Sequence, residues 1–282
     1  MVQLSDLFDE FLSRISPTEW ELDRARVHRD EVTRRLPELE GFKEAINTGS
    51  YIRGTSLHPF TDIDVFLGYD PDSYDGDAER LITRLHWHLG RSFPNSTVRL
   101  QSHSVGVIFS DDIRVDVVPG LAVNGRPGFY RVRDREKNIW STTNVRGHKD
   151  FFDRAQARDP RFRDIVRCVK AWKNSRRTKF SSYMLELLVT RAFRGRMPQG
   201  KDVILHDFFQ WLSLGGFPWP AKVPDPTNSA NNVASDLTRP AHLELLSAAN
   251  YARARIGTAL RCTSRHQASI ALGDVFDQFP VV

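Results

Sequence analysis

The chain has 282 residues, room for one large domain or two compact ones with a full core in either case. Its 40% hydrophobic and 27% charged residues are the balance of an ordinary soluble protein, with no apolar run long enough to span a bilayer and no signal-peptide pattern at its start. Two cysteines, Cys168 and Cys262, exclude a disulfide framework and a thiolate metal site, and a net charge of +5 suggests anionic partners, nucleotides or nucleic acid. The expected compartment is the cytoplasm.

Leu4, Leu7, Phe8, Phe11, Leu12 and Ile15 recur at i, i+3, i+4 spacing and predict an amphipathic helix. Ser16-Pro17-Thr18-Glu19 reads as a capping box with proline at the first helical position, opening a second, Arg-rich helix that stops before Pro37. Phe42 to Ile46 leads into Gly49-Ser50. A glycine fits where backbone must come close to a phosphate, and the serine hydroxyl and following amides can donate to it. Arg53 and Thr55 read equally as supports of this loop or as exposed polar residues. His58-Pro59-Phe60 is a connection, with His58 a loop residue rather than a metal ligand.

The connection enters an apolar run interrupted by Asp62 and Asp64. Residues two apart on a strand share a face, so both carboxylates point one way while Ile63 and Val65 pack on the other. Paired carboxylates repel and raise each other's pKa; a divalent cation between them removes that cost, and oxygen ligands suit Mg²⁺. Residues 70–76 form a turn-rich loop, and Ala78, Leu81, Ile82, Leu85 and Leu89 mark a helix. Strands are expected over 97–101, 105–109 and 113–118, with a turn at Ser110-Asp111-Asp112. Asp116 alternates with Val115 and Val117, which gives its strand one acidic and one core face. Three carboxylates on adjacent strands can hold two metal ions that bridge and neutralise a reacting phosphate. Helix and strands together make an α+β lobe. Residues 119–128 read as loop, and the lobe boundary is expected near Asp150.

Beyond it, Ile165, Val166, Val169 and Trp172 share one side of a helix, and Arg167 and Lys170 a neighbouring one. Lys173, Arg176, Arg177 and Lys179 make a basic connection, read first as a solvated face and second as a nucleic-acid contact. Ser181-Ser182-Tyr183 opens the next helix, where a serine can cap free amides and the helix dipole favours an anion. A helix over 202–214 ends at Gly215-Gly216. Residues 218–232 are proline-rich and irregular, a last helix runs over 240–260, and the apolar 276–282 can dock.

Gly49-Ser50, Asp62-Ile63-Asp64 and Asp116 resemble the signature of the DNA-polymerase-β-type nucleotidyltransferases. The fuller string G-S-Y-x-R-G-T-x(6)-D-I-D-V-F-L is similar to the branch with cGAS/DncV-like enzymes, 2′-5′ oligoadenylate synthases and archaeal CCA-adding enzymes. Trp140-Ser141-Thr142-Thr143-Asn144 with His148 resembles a segment of the cGAS/DncV-like group, with Val145 in place of its proline. So do Asp225-Pro226-Thr227-Asn228 and Asn231-Asn232-Val233. The resemblance implies a polymerase-β-like α+β lobe with a mixed sheet over 1–150, carrying an N-terminal spine helix. A helical lobe over 151–282 follows, with the active cleft between them.

For the site, the resemblance implies that Asp62, Asp64 and Asp116 are catalytic and bind two Mg²⁺ or Mn²⁺ ions. Gly49 and Ser50 hold a nucleotide triphosphate, with Arg53 beside them. Lys170 and Ser182 reach the triphosphate and Tyr183 stacks on the donor base, a contact that does not read base identity. The implied activity is metal-dependent joining of NTPs, ATP among them, into a cyclic di- or trinucleotide second messenger in anti-phage (CBASS) signalling. The alternative is an RNA-directed transferase of the oligoadenylate-forming or CCA-adding type. Implied partners are a cyclic-nucleotide-activated effector and a regulatory protein; no membrane partner is expected, and nucleic-acid binding stays open.

Overall fold

A computed structural model describes residues 4–60, 62–75, 77–176, 180–195 and 197–280. Arg177 and Lys179 of the basic connection, Gly76, and Val281 and Val282 lie outside the described residues. The chain divides into two compact units, residues 17–153 with 226–231, and residues 1–16 with 154–225 and 232–282.

The first unit is built on a seven-stranded mixed sheet. Its strands are β1 (Phe42–Thr48), β2 (Asp62–Tyr69), β3 (Thr97–Leu100), β4 (Val105–Ile108), β5 (Arg114–Ala122), β6 (Tyr130–Asp134) and β7 (Ile139–Thr143). The order is β1-β2-β5-β4-β3; β6 pairs with the far end of β5, and β7 with β6. Only β2 and β5 run parallel among the described pairings, in a register that sets Asp62 opposite Arg114 and Asp64 opposite Asp116.

The period-2 alternation of β2 and β5 divides the sheet chemically. Ile63, Val65, Leu67, Val115 and Val117 are fully buried on one face, in a core shared with Ala25 and Val32 and with Leu81, Ile82, Leu85 and Leu89. Those residues come from α2 (Glu19–Arg35) and α4 (Ala78–Ser92), whose apolar positions fall on one side at 3.6 spacing. The other face carries the aspartates and a smaller cluster of Ile46, Phe66, Tyr130 and Val145.

Three expectations are corrected here. The capping box sits two residues later, with Thr18 as N-cap and Glu21 as its partner. Glu21 is also engaged elsewhere: it accepts from His58 Nδ1 at 2.9 Å and from the Phe60 amide at 2.8 Å. Residues 119–122, read as loop, continue β5, with Pro119 opposite Leu67. Strands β6 and β7 were not anticipated: Tyr130 and Val132 alternate with Arg131 and Arg133 over only five residues, and Ser141 and Thr142 leave β7 largely polar. Val145, standing where the family has proline, opens α5 (Val145–Arg158), and Asn144 Oδ1 accepts from the Gly147 amide at 3.1 Å.

The second unit is helical. It contains α1 (Leu4–Ile15), α6 (Phe162–Ser175), α7 (Ser182–Ala192), α8 (Lys201–Trp211), α9 (Arg239–Arg261) and α10 (Arg265–Gly273). The apolar stripe of α1 is buried, with Phe8 and Phe11 packed on Phe276 and Phe279 at ring separations of 4.9–6.2 Å, so the C-terminal segment docks. Trp172 and Phe209 join α6 to α8, and Cys168, one turn before Trp172, is buried. No helix among the described residues is long and apolar enough to cross a membrane.

Candidate active site

The sheet unit brings Gly49, Ser50, Arg53, Asp62, Asp64 and Asp116 together, and the pairing of three strands explains how. In the β1–β2 register Thr48 faces Asp64, so the chain turns at Gly49 directly over that carboxylate. Gly49 has φ +75°, and a Cβ there would stand 1.7 Å from Asp64 Oδ2. Both facts demand glycine. The Gly-Ser segment is a short helix, α3 (Gly49–Arg53), rather than an open loop. Ser50 Oγ lies 3.4 Å from Ser56 Oγ. Arg53 is buried, its guanidinium 5.3 Å from the centre of the Phe152 ring.

Asp116 is buried and held from one side: Gln101 Nε2 donates to its Oδ1 at 2.8 Å, and Ser104 in turn donates to Gln101 Oε1 at 3.1 Å. Gly106, opposite Asp116 on β4, leaves room for this pair, since a Cβ there would be 2.6 Å from Oδ1. Arg114 closes the group. It makes an ion pair with Asp62 at 2.9 Å and brings Nε to 3.1 Å from Asp116 Oδ2.

Burial pushes the Asp64 carboxyl above the usual range; Arg53 and Arg114 pull it down, and Asp62 pushes it further up. Asp116 is raised likewise, first by burial, with Arg114 and the Gln101 hydrogen bond opposing and Asp64 and Asp62 reinforcing. Three carboxylates, Asp62, Asp64 and Asp116, stand against two arginines, Arg53 and Arg114, so the group carries more negative charge than these cations offset. Among the described residues no three His, Cys, Asp or Glu side chains are gathered closely enough to hold an ion as they stand. Two carboxylates face each other across β2 and β5, and the third is turned to Arg114. This donor set, all carboxylate oxygen and short of positive charge, fits a hard divalent cation such as Mg²⁺ or Mn²⁺.

The helical unit holds the other expected residues. Ser182 is the first residue of α7, and the N-cap Ser181 accepts from the Met184 amide. Tyr183 is half-buried. Lys170 is buried and donates to the fully buried Glu186 at 3.4 Å. Lys173 Nζ donates to Ser182 Oγ at 3.1 Å, and burial lowers its pKa below the usual lysine value. Gln101, Arg114 and Lys173 are contacts that the motifs alone do not reveal. Arg114 carried the clearest signal, standing two residues before Asp116 and so on the same face. The Asp225–Val233 segment is anchored: Asn228 and Asn231 donate to the Thr142 carbonyl, and Thr227 hydrogen-bonds His148.

Residues 1–155 match the Second Messenger Oligonucleotide or Dinucleotide Synthetase (SMODS) domain model. The CCA-adding enzyme of Thermoplasma acidophilum is 28% identical over 258 residues, 85% of this chain; the chain spans about half (54%) of that relative's length. The CBASS oligonucleotide cyclase CdnC of Escherichia coli is 23% identical over 232 residues, covering 72% of this chain and 73% of the relative. Solved structures of E. coli CdnC superpose over 98% of both chains at 23% identity, with a TM-score of 0.86 for the form with ATP and 0.84 for its complex with HORMA-deltaN. Vibrio cholerae DncV, a cyclic AMP-GMP synthase, matches at TM-score 0.78 and 12% identity over 99% of this chain and 97% of its own. The polymerase-β-like fold is thus shared along the chain, and with more than half of its 282 residues under the domain model, the protein belongs to the SMODS family of the nucleotidyltransferase superfamily.

Proposed function

We propose that this protein is a nucleotidyltransferase that joins NTPs into a cyclic di- or trinucleotide second messenger. The observation that carries the reading is the parallel register of β2 and β5. It sets Asp64 opposite Asp116, with Asp62 two residues away and the Gly49 backbone against Asp64. In the reaction a ribose hydroxyl attacks the α-phosphorus of an NTP. The new O–P bond forms as the bond to the β-phosphate bridging oxygen breaks, and pyrophosphate leaves. Such a transfer is accelerated mainly by placement and charge neutralisation.

Asp62, Asp64 and Asp116 would hold the divalent cations, which supply charge neutralisation at the reacting phosphates. Asp116 also takes the hydroxyl proton. Gln101 steadies that carboxylate by donating to its Oδ1. Gly49 and Ser50 receive the triphosphate, with Arg53 behind them. Lys170 and Ser182 serve the donor triphosphate, with Lys173 fixing the Ser182 hydroxyl, and Tyr183 stacks on the base.

ATP is the substrate favoured for at least one position, on the strength of the ATP-bound E. coli CdnC structure. The CdnC complex with HORMA-deltaN supports a regulatory protein partner, and the CBASS assignment of CdnC supports a role in CBASS anti-phage signalling; a cyclic-nucleotide-activated effector and a cytoplasmic location belong to the proposal. The 28% identity to a CCA-adding enzyme favours a second reading, transfer to an RNA end.

One experiment tests both. Purified protein is incubated with labelled NTPs and Mg²⁺ or Mn²⁺, with and without RNA, and the products are treated with phosphatase. A small phosphatase-resistant product supports cyclisation, label that appears only on added RNA supports the second reading, and the absence of both products contradicts transferase activity.

A further inference from the structure

Arg114 is the one side chain of the carboxylate group to which the proposed chemistry gives no task. Its position is set by the sheet and not by a mobile loop: it faces Asp62 across the β2–β5 pairing and stands two residues before Asp116 on the same strand face. Its guanidinium is 2.9 Å from Asp62 Oδ1, on the outer side of the group, where Asp62 is half-exposed. On the inner side Nε is buried and lies 3.1 Å from Asp116 Oδ2, yet it has no hydrogen-bond acceptor. The attraction to Asp116 is therefore Coulombic, without the directional bond that would lock the arginine in place.

We propose that Arg114 is a built-in counter-cation that competes with divalent metal for Asp62 and Asp116. The inference rests on the reading of the three aspartates as metal ligands. Without a dication the guanidinium holds Asp62 away from Asp64 and Asp116 and supplies part of the missing positive charge. To complete the ligand set, Asp62 must exchange the guanidinium for the ion. The pair with Asp62 is half in solvent, so breaking it costs little. The remaining arginine charge still opposes a dication at short range. Arg114 thus makes the bare site a weak metal binder, and metal loading comes to depend on the negative charge that an NTP brings with it.

The test is Mn²⁺ titration of the full chain without nucleotide, by calorimetry or by loss of the free-ion electron paramagnetic resonance signal. Arg114→Met keeps most of the length and removes the charge, and it is expected to bind Mn²⁺ at least about tenfold tighter than wild type. Arg114→Lys keeps the charge and is expected to stay within about threefold of wild type. A purely structural role would move Arg114→Met the other way, since a disordered site binds metal less well. Should Arg114→Met not fold, Arg114→Gln carries the same expectation.

Asp64→Asn separates the two levels of inference. If wild-type Mn²⁺ binding survives that substitution, the ligand assignment fails, and the transferase reading with it. If Asp64→Asn abolishes binding while the charge-removing variant binds no tighter than wild type, only the competition proposal is overturned. Absence of detectable binding to wild type and the charge-removing variant alike overturns it as well.

Discussion

Replacing Gly49 by alanine tests the closest contact in the site. The backbone there has φ +75°, and the new Cβ would lie 1.7 Å from Asp64 Oδ2 and 2.6 Å from its Cγ. Two costs follow. The left-handed conformation costs an alanine roughly 1 kcal/mol relative to glycine. The overlap forces Asp64 out of its rotamer or β1 away from β2, for about 1–3 kcal/mol more. Gly125 supplies the control, because it has nearly the same φ, +72°, with no atom within 4 Å of the added methyl. Urea unfolding of the full chain should show Gly125→Ala losing about 1 kcal/mol and Gly49→Ala about 2–4 kcal/mol. In the NTP assay Gly125→Ala should retain turnover, whereas Gly49→Ala, with Asp64 displaced, should lose it. Equal stability losses in the two variants, together with normal turnover by Gly49→Ala, would refute the claim that this glycine exists to let backbone meet the Asp64 carboxylate.

Three further outcomes follow from particular side chains. Burial alone would raise Glu21, but hydrogen bonds from the Phe60 and Thr18 amides, His58 and the Thr18 hydroxyl hold its carboxyl at about 2 instead of 4.5. Its folded pKa is depressed, so about 3 kcal/mol of stability is present above pH 4.5 and is lost as the pH falls toward 2. Glu21→Gln should flatten that limb of a stability-versus-pH curve. Asp64 is the opposite case. Its pKa is raised, so ionising it costs stability as the pH climbs past the usual carboxylate range. Asp64→Asn should therefore raise the urea midpoint at pH 7 while cutting turnover to below roughly one-hundredth. Lys170→Met removes the ammonium beside the fully buried Glu186 and should lower the thermal unfolding midpoint, with the Lys170→Met/Glu186→Met double variant recovering part of the loss.

The parts legible in the sequence were those governed by local periodicity. Alternation through Ile63, Val65 and Leu67 announced a strand, and with it the shared face of Asp62 and Asp64. The same spacing placed Asp116 opposite to Val115 and Val117. What stayed hidden depends on register. That Arg114 meets Asp62, or that Gln101 steadies Asp116, follows from strand pairings that no short window encodes. The capping box shows a different kind of ambiguity. Ser16-x-x-Glu19 and Thr18-x-x-Glu21 both satisfy the pattern, and the choice is made far away, by the His58 ring and Phe60 amide that need Glu21. Pro119 read as a break because proline cannot donate to a ladder, yet β5 carries it through. Strand β6 alternates Tyr130 and Val132, which join the Ile46 and Phe66 cluster, with Arg131 and Arg133 over only five residues, and β7 is mostly polar, so neither stood out as strand.

The most direct test of the central claim is a crystal of the full chain grown with a non-hydrolysable NTP analogue and Mn²⁺, with the ion located by its anomalous scattering. Manganese is expected within about 2–2.5 Å of carboxylate oxygens of Asp62, Asp64 and Asp116, with Arg114 withdrawn from Asp62. Manganese bound elsewhere, with the three aspartates left in their present contacts, would contradict that claim.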